Sequence, residues 1–144
     1  AVRRMTIHLR KLSVGSESVE SMAEWQAFRL QQTGKLRHVT RSTPTRRDEV
    51  LNGGSIYWII KGVMLARQRI IDLEELIDDE GVKRCAIVID PEIVRVMPRK
   101  HRPFQGWRYL KPEEAPADID MKAHDDIAEM PTELLTELKE LGLL

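Results

Sequence analysis

Ser55-Ile-Tyr-Trp-Ile-Ile60, followed at once by Lys61-Gly62 and by Val63-Met-Leu-Ala-Arg-Gln-Arg-Ile-Ile-Asp-Leu-Glu74, decides the fold of this chain. In residues 55–60 both alternating sets are apolar: Ile56, Trp58 and Ile60 on one side, Tyr57 and Ile59 on the other. That pattern predicts a central strand covered on both faces. Lys61-Gly62 is a tight-turn dipeptide. The stretch after it fits two periods. Val63, Leu65, Arg67, Arg69, Ile71 and Leu73 recur at strand spacing, whereas Ile70, Leu73, Leu76 and Ile77 recur at helix spacing. A strand over residues 63–73 is expected, because the central strand needs a hairpin partner nearby.

Weaker elements surround this hairpin. Residues 5–13 alternate imperfectly and predict an opening strand, broken at Gly15. Residues 18–33 predict a helix. Ser21-Met-Ala-Glu24 fits a capping box, and Ser18 offers a cap one turn earlier. Val19, Met22, Ala23 and Leu30 form its apolar face, widened by Trp25 and Phe28, and Gly34 is its stop. Residues 38–41 predict a short strand. Thr43-Pro44 is expected to open a short helix through Leu51, ended by Asn52-Gly53-Gly54. Further strands are expected at 85–89, at 93–97 between Pro91 and Pro98, and at 106–110. The fold class is therefore α+β: a small, mostly antiparallel curled sheet or β-barrel with an N-terminal helix and a C-terminal Leu-rich helix.

The 144 residues predict one domain, large enough to hold a core without a metal or disulfide. No apolar run spans a membrane. No signal-peptide apolar core follows the basic start, and Cys85 is the only cysteine, so a cytoplasmic protein is expected. The formal net charge of zero is a cancellation. Residues 1–111 hold 21 Lys+Arg against 13 Asp+Glu, or +8, and residues 112–144 hold 2 against 10, or −8. The chain divides into a basic body (1–111), an acidic connector (112–129) and a final helix (130–144). That helix carries Leu134, Leu138 and Leu141 on one stripe, a surface for a protein partner or a second copy.

There is no phosphate loop, dinucleotide fingerprint, Cys-x-x-Cys pair or nucleophile elbow, and the four histidines lack metal spacing. No cofactor, metal or catalytic residue is assigned. Cys85 falls in an apolar strand, where a thiol is a small core residue. The basic stretches carry more. Residues 35–47 hold Lys35, Arg37, Arg41, Arg46 and Arg47 without an acid. Residues 83–111 hold Arg99, Lys100, Arg102 and Arg108 among other cations, together with Phe104, Trp107 and Tyr109. Cations neutralise phosphates, and aromatic rings stack on unpaired bases. Trp107 and Tyr109 are assigned to opposite faces of the last strand, so that at least one is core. Arg67 and Arg69 are expected to share a face, and Lys61 adds a further cation. The expected function is a nucleic-acid-binding module for RNA or a modified base. Binding should fall steeply with salt and be abolished by Arg99→Glu with Arg102→Glu. The alternatives are a regulatory subunit that docks through the final helix, and a small hydrolase on a nucleotide or modified base built on Lys61, Arg67, Arg69 and Asp90.

Two resemblances bear on this. Ile7-His-Leu-Arg-Lys-Leu12, His38-Val-Thr-Arg41, Gly53-Gly-Ser-Ile-Tyr-Trp-Ile-Ile-Lys-Gly62, Arg67-Gln-Arg69, Cys85-Ala-Ile-Val-Ile-Asp-Pro91 and Arg102-Pro-Phe-Gln-Gly-Trp-Arg-Tyr-Leu110 together resemble a bacterial domain-of-unknown-function family of single-domain proteins. The order of a Gly-initiated strand at Gly54, a Gly turn at Gly62, a long return strand and a final Leu-rich helix is similar to the PUA-like superfold of PUA, ASCH, EVE and YTH domains. That similarity implies a small β-barrel that binds RNA or a modified base.

Overall fold

A computed structural model describes residues 5–119. In chain order the elements are β1 (His8–Leu12), α1 (Val19–Thr33), β2 (Leu36–Thr40), α2 (Arg47–Leu51), β3 (Ser55–Ile60), β4 (Val63–Ile77), β5 (Lys83–Ile89), β6 (Val94–Lys100) and β7 (Trp107–Leu110). A 3-10 turn at Pro112–Glu114 follows. The expected final helix, with Leu134, Leu138 and Leu141, lies outside the described residues.

The hairpin forms as its sequence predicts. Every residue of β3 is buried. Lys61 (φ 49) and Gly62 (φ 80) make the two-residue turn with both central residues in the left-handed region, which matches the twist of the flanking strands. β4 is longer than expected and is a strand throughout. It runs past Leu73 because its second half gains a new partner. Residues 63–69 pair with β3, and residues 70–77 pair with β5. On the side away from β3, β6 follows β5 along the same strand, pairing Arg67 with Val94 and Val63 with Lys100.

The sheet order is β2-β5-β4-β3-β1-β7, with β6 beside β4. β1 lies parallel to β3, because the chain returns through α1, β2 and α2 before pairing, and all other strand pairs are antiparallel. The sheet curls without closing into a barrel. β2 and β7 are its edges, and residues 42–46 cross between them by side-chain contacts. The Trp107 indole donates to the Ser42 carbonyl (2.9 Å), and the Arg46 amide donates to the Tyr109 hydroxyl (3.2 Å).

Three expected boundaries shift. The capping box of α1 is Ser18 with Ser21, not Ser21 with Glu24: each serine hydroxyl accepts the other's backbone N–H at 3.0 Å. α2 starts at Arg47 rather than beside Thr43-Pro44, with no side-chain cap. β6 runs through Pro98 instead of stopping before it. Its ladder to β4 shifts register between Met64 and Ala66, so the imide nitrogen falls in an irregular stretch where no ladder donor is needed. The outer edge of β6 is covered by residues 117–119: the Met97 amide donates to Ala117 and the Ile119 amide to Arg95.

Two cores flank the sheet. Leu9, Ile56, Trp58, Ile60, Leu73 and Ile87 pack with Val19, Met22 and Val50 from the helices. Tyr57, Ile59, Met64, Val96, Phe104 and Leu110 form the core of the other face. Gly54 is where β1, α2 and β3 meet. Any side chain there would collide with the carbonyls of Val50 and Ile7.

Candidate nucleic-acid interface

Alternation along adjacent strands builds two cross-sheet rows, one residue apart and facing opposite ways. The first is Ala66–Trp58–Lys11–Trp107, on the face that carries α1. Lys11 therefore stands between two tryptophans. Burial lowers its pKa, and it makes no ion pair among the described residues.

Two hollows open on this face and share Val39 as a wall. One, of about 420 Å³, lies between α1 and β2 and is lined by Trp25, Gln26, Arg29, His38 and Trp58, with Lys35 and Arg37 at its rim. The other, of about 730 Å³, lies at the gap between β2 and β7. It is lined by Lys11, Thr40, Arg41, Ser42, Arg84, Gln105, Gly106 and Trp107. Among the described residues no carboxylate lines either. Lys35 and Arg37 share Glu74, and Arg84 is held by Asp78 at 2.8 Å. Lys11, Arg29 and Arg41 keep no carboxylate partner among the described residues.

The floor of the first hollow is a satisfied polar network. Gln68, fully buried, accepts the Trp58 indole N–H (2.8 Å) and an N–H of Gln26 (2.8 Å). It donates to Gln26 (2.6 Å) and to the Asp90 carbonyl (3.0 Å). His38 stands edge-on to Trp58, with centroids 5.2 Å apart. Burial first, and the Lys11 charge second, push its pKa down to about 4. It is neutral at neutral pH and offers one donor and one acceptor. The widened face of α1 is not core: Trp25 is 59% and Phe28 51% exposed. Their rings stack at 5.9 Å, with the Arg29 guanidinium over Trp25.

The expected site residues divide among four places. Arg41 and Trp107 line the second hollow. Trp107 and Tyr109, expected on opposite faces, lie on the same face with centroids 4.9 Å apart, because positions two apart on a strand point the same way. Tyr109 is spent on residues 45–46. Arg46 pairs with Glu49, and Arg47 with Asp72 and the Leu73 carbonyl, so the start of α2 is locked rather than open. Lys61, Arg99, Lys100 and Arg102 cluster at the far end of the β3–β4 hairpin, where Lys100 pairs with Val63 and Arg99 donates to the Glu114 carbonyl. Arg67, Arg69 and Arg108 lie on the opposite face. Arg67 and Arg69 share it as expected. Arg67 grips Asp118 bidentately (2.7 and 2.6 Å) and donates to the Ser55 hydroxyl (3.1 Å), and Arg108 lies 4.7 Å over Phe104.

Lys61, Arg67, Arg69 and Asp90 line neither hollow. Asp90 caps its own turn by accepting the Glu92 amide. The described residues hold no cluster of His, Cys, Asp and Glu suited to a metal. Burial raises the pKa of Cys85, as expected of a core thiol. None of the described helices is long and apolar enough to cross a membrane. Lys11, Arg29, His38 and Trp25 escaped the sequence reading, since only the pairing of β1 between β3 and β7 brings Lys11 to the tryptophans.

Fold and site together define the class: an α+β protein whose open, curled sheet carries a cationic cleft walled by tryptophans. Within that class the chain belongs to the family described as "Protein of unknown function (DUF1489)", which matches residues 9–144. No curated protein and no solved structure matches the chain.

Proposed function

We propose that this protein binds nucleic acid, RNA or a modified base in single-stranded form, along the two joined hollows. One observation carries the proposal: Lys11, Arg29 and Arg41 share this surface with Trp25 and Trp107, over the buried Trp58, and among the described residues no carboxylate lines it. Cations along a groove track phosphates, and exposed indole faces stack bases whatever their sequence. A duplex is a poorer fit, because its bases are already stacked on one another. The single buried cysteine supports a cytoplasmic setting.

The test is anisotropy of a labelled single-stranded RNA over a salt series. About three phosphate contacts give a log–log slope of roughly −2. Lys11→Glu with Arg41→Glu should weaken binding at least about tenfold, since each replaces an attraction by a repulsion. Arg99→Glu with Arg102→Glu, at the hairpin end, should change it far less. Binding that ignores both salt and the Lys11/Arg41 pair refutes the proposal.

A further inference from the structure

The second cross-sheet row faces away from the cleft: Arg67–Tyr57–Arg10–Arg108, running in register over β4, β3, β1 and β7. The neighbouring row adds Arg69 opposite Ser55, with His8 on β1 beside them. Four guanidinium groups thus share one face. Like charges directly opposite on paired strands repel, and Arg10 with Arg108 is such a pair. Asp118 is the carboxylate that docks here, and both of its oxygens are spent on Arg67. Among the described residues Arg10 has no such partner: its Nε is buried without a hydrogen bond. A buried, unmatched donor on a cation costs stability, and an acceptor that reached it would recover that cost.

The remaining polar groups of the patch donate as well. His8 Nδ1 accepts the Ser55 amide (3.0 Å), so the ring proton sits on Nε2. The His8 ring meets Tyr57 edge-on at 5.1 Å. Tyr57 keeps its phenolic proton and can donate it. The face therefore offers arginine forks and a phenol O–H on successive strands roughly 5 Å apart, and Asp118 shows that a forked oxyanion fits.

We infer that this arginine row is an oxyanion site, distinct from the cleft, which takes a tetrahedral phosphate or phosphomonoester between Arg10, Arg108 and Tyr57 and competes with Asp118 for Arg67. A tetrahedral anion fits better than a second carboxylate, because the donors stand in register on three strands rather than on one fork. Glu92 is the other acid within electrostatic reach of Arg67.

The test is thermal melting and calorimetric titration of the full chain with inorganic phosphate, against sodium chloride at matched ionic strength. Phenyl phosphate serves as the monoester probe. Phosphate should raise the melting temperature saturably, as a ligand of the folded state does, and chloride should not. Arg108→Gln, at an exposed position that does not threaten folding, should weaken phosphate at least about tenfold, as the loss of one charge-assisted fork implies. Arg41→Gln, in the cleft, should leave it unchanged. Asp118→Asn should tighten it several-fold by freeing Arg67. Tighter binding of phenyl phosphate than of phosphate assigns the site to monoesters, and the reverse order assigns it to the free ion. Equal phosphate affinity in Arg108→Gln and the unaltered protein, or a shift that chloride reproduces, overturns the inference.

Discussion

Ala66–Trp58–Lys11–Trp107 and Arg67–Tyr57–Arg10–Arg108 are the same four strands read one residue apart, and they solve the burial of charge in opposite ways. On the cleft face the buried polarity is collected into one neutral, fully satisfied hub at Gln68, and a single lysine stands between indoles. On the other face charge is repeated across the strands, and among the described residues one carboxylate answers one arginine. A satisfied polar network stabilises and fixes geometry, whereas an unanswered row stores a preference for an anion. The floor of the cleft is thereby held rigid beneath its binding surface, whereas the arginine face keeps a preference for an anion.

The comparison breaks most visibly at Gln68. Gln68→Ala removes a fully buried side chain and strands the Trp58 indole N–H, Gln26 and the Asp90 carbonyl at once. The cavity and the orphaned groups together should cost about 3 to 4 kcal/mol, measured by urea unfolding. A cost under about 1 kcal/mol would mean that water replaces the network without penalty, and the two faces would not differ in kind.

Next in size is the acid limb of stability. His38 titrates near pH 4 in the fold and at 6.5 when unfolded, so between these values the unfolded chain binds more protons. Stability is then highest above pH 6.5 and falls as the pH drops toward 4, by up to about 3 kcal/mol. His8, also lowered by burial and then by Arg67, acts in the same direction from the other face. His38→Gln should flatten most of the slope between pH 6.5 and 4 in denaturation series, with His8 and, toward pH 4, the lowered carboxylates Glu20, Asp78 and Asp118 supplying the rest. An unchanged slope would remove the neutral histidine from the cleft wall.

How much of this was legible in the sequence follows from range. The β3–β4 hairpin declared itself because its pattern, turn and partner all lie within about twenty residues, where alternation and turn chemistry suffice. The parallel insertion of β1, the covering of β6 by residues 117–119 and the passage of β6 through Pro98 depend on partners tens of residues away. The capping serine was ambiguous because Ser18 and Ser21 each begin a plausible box, and the choice falls to whichever residue leaves the helix. The basic residues were countable, but their availability was not. Arg67 is answered by Asp118 and Arg95 by Glu20, and neither pair is visible as a run of charge. Lys11 illustrates the converse: unremarkable in an imperfect strand, it is central once its two neighbours are known.

Asp118→Asn sharpens the arginine side of the comparison. The Arg67 fork lowers the pKa of Asp118, so the pair stabilises the fold above the ordinary carboxylate range and is lost as the pH falls through the lowered value. The carboxylate is nearly half exposed, which screens the pair. The substitution should therefore cost only about 1 kcal/mol at pH 7 and nothing at pH 2, by thermal melting at the two values. A cost that persists at pH 2 would assign the effect to the backbone bridge between Val96 and Asp118 rather than to charge.

The smallest effect should carry the opposite sign. Arg10→Met keeps the aliphatic stem against Tyr57 and removes the orphaned Nε and the charge facing Arg108. In phosphate-free buffer this should leave stability unchanged or raise it by up to about 1 kcal/mol, since removing an orphaned buried donor and a facing like charge is neutral or favourable. In phosphate the order should reverse, because only the arginine gains a ligand. Were Arg10→Met destabilising without phosphate, the row would already be satisfied in the free protein, and both faces of the sheet would follow the rule seen at Gln68.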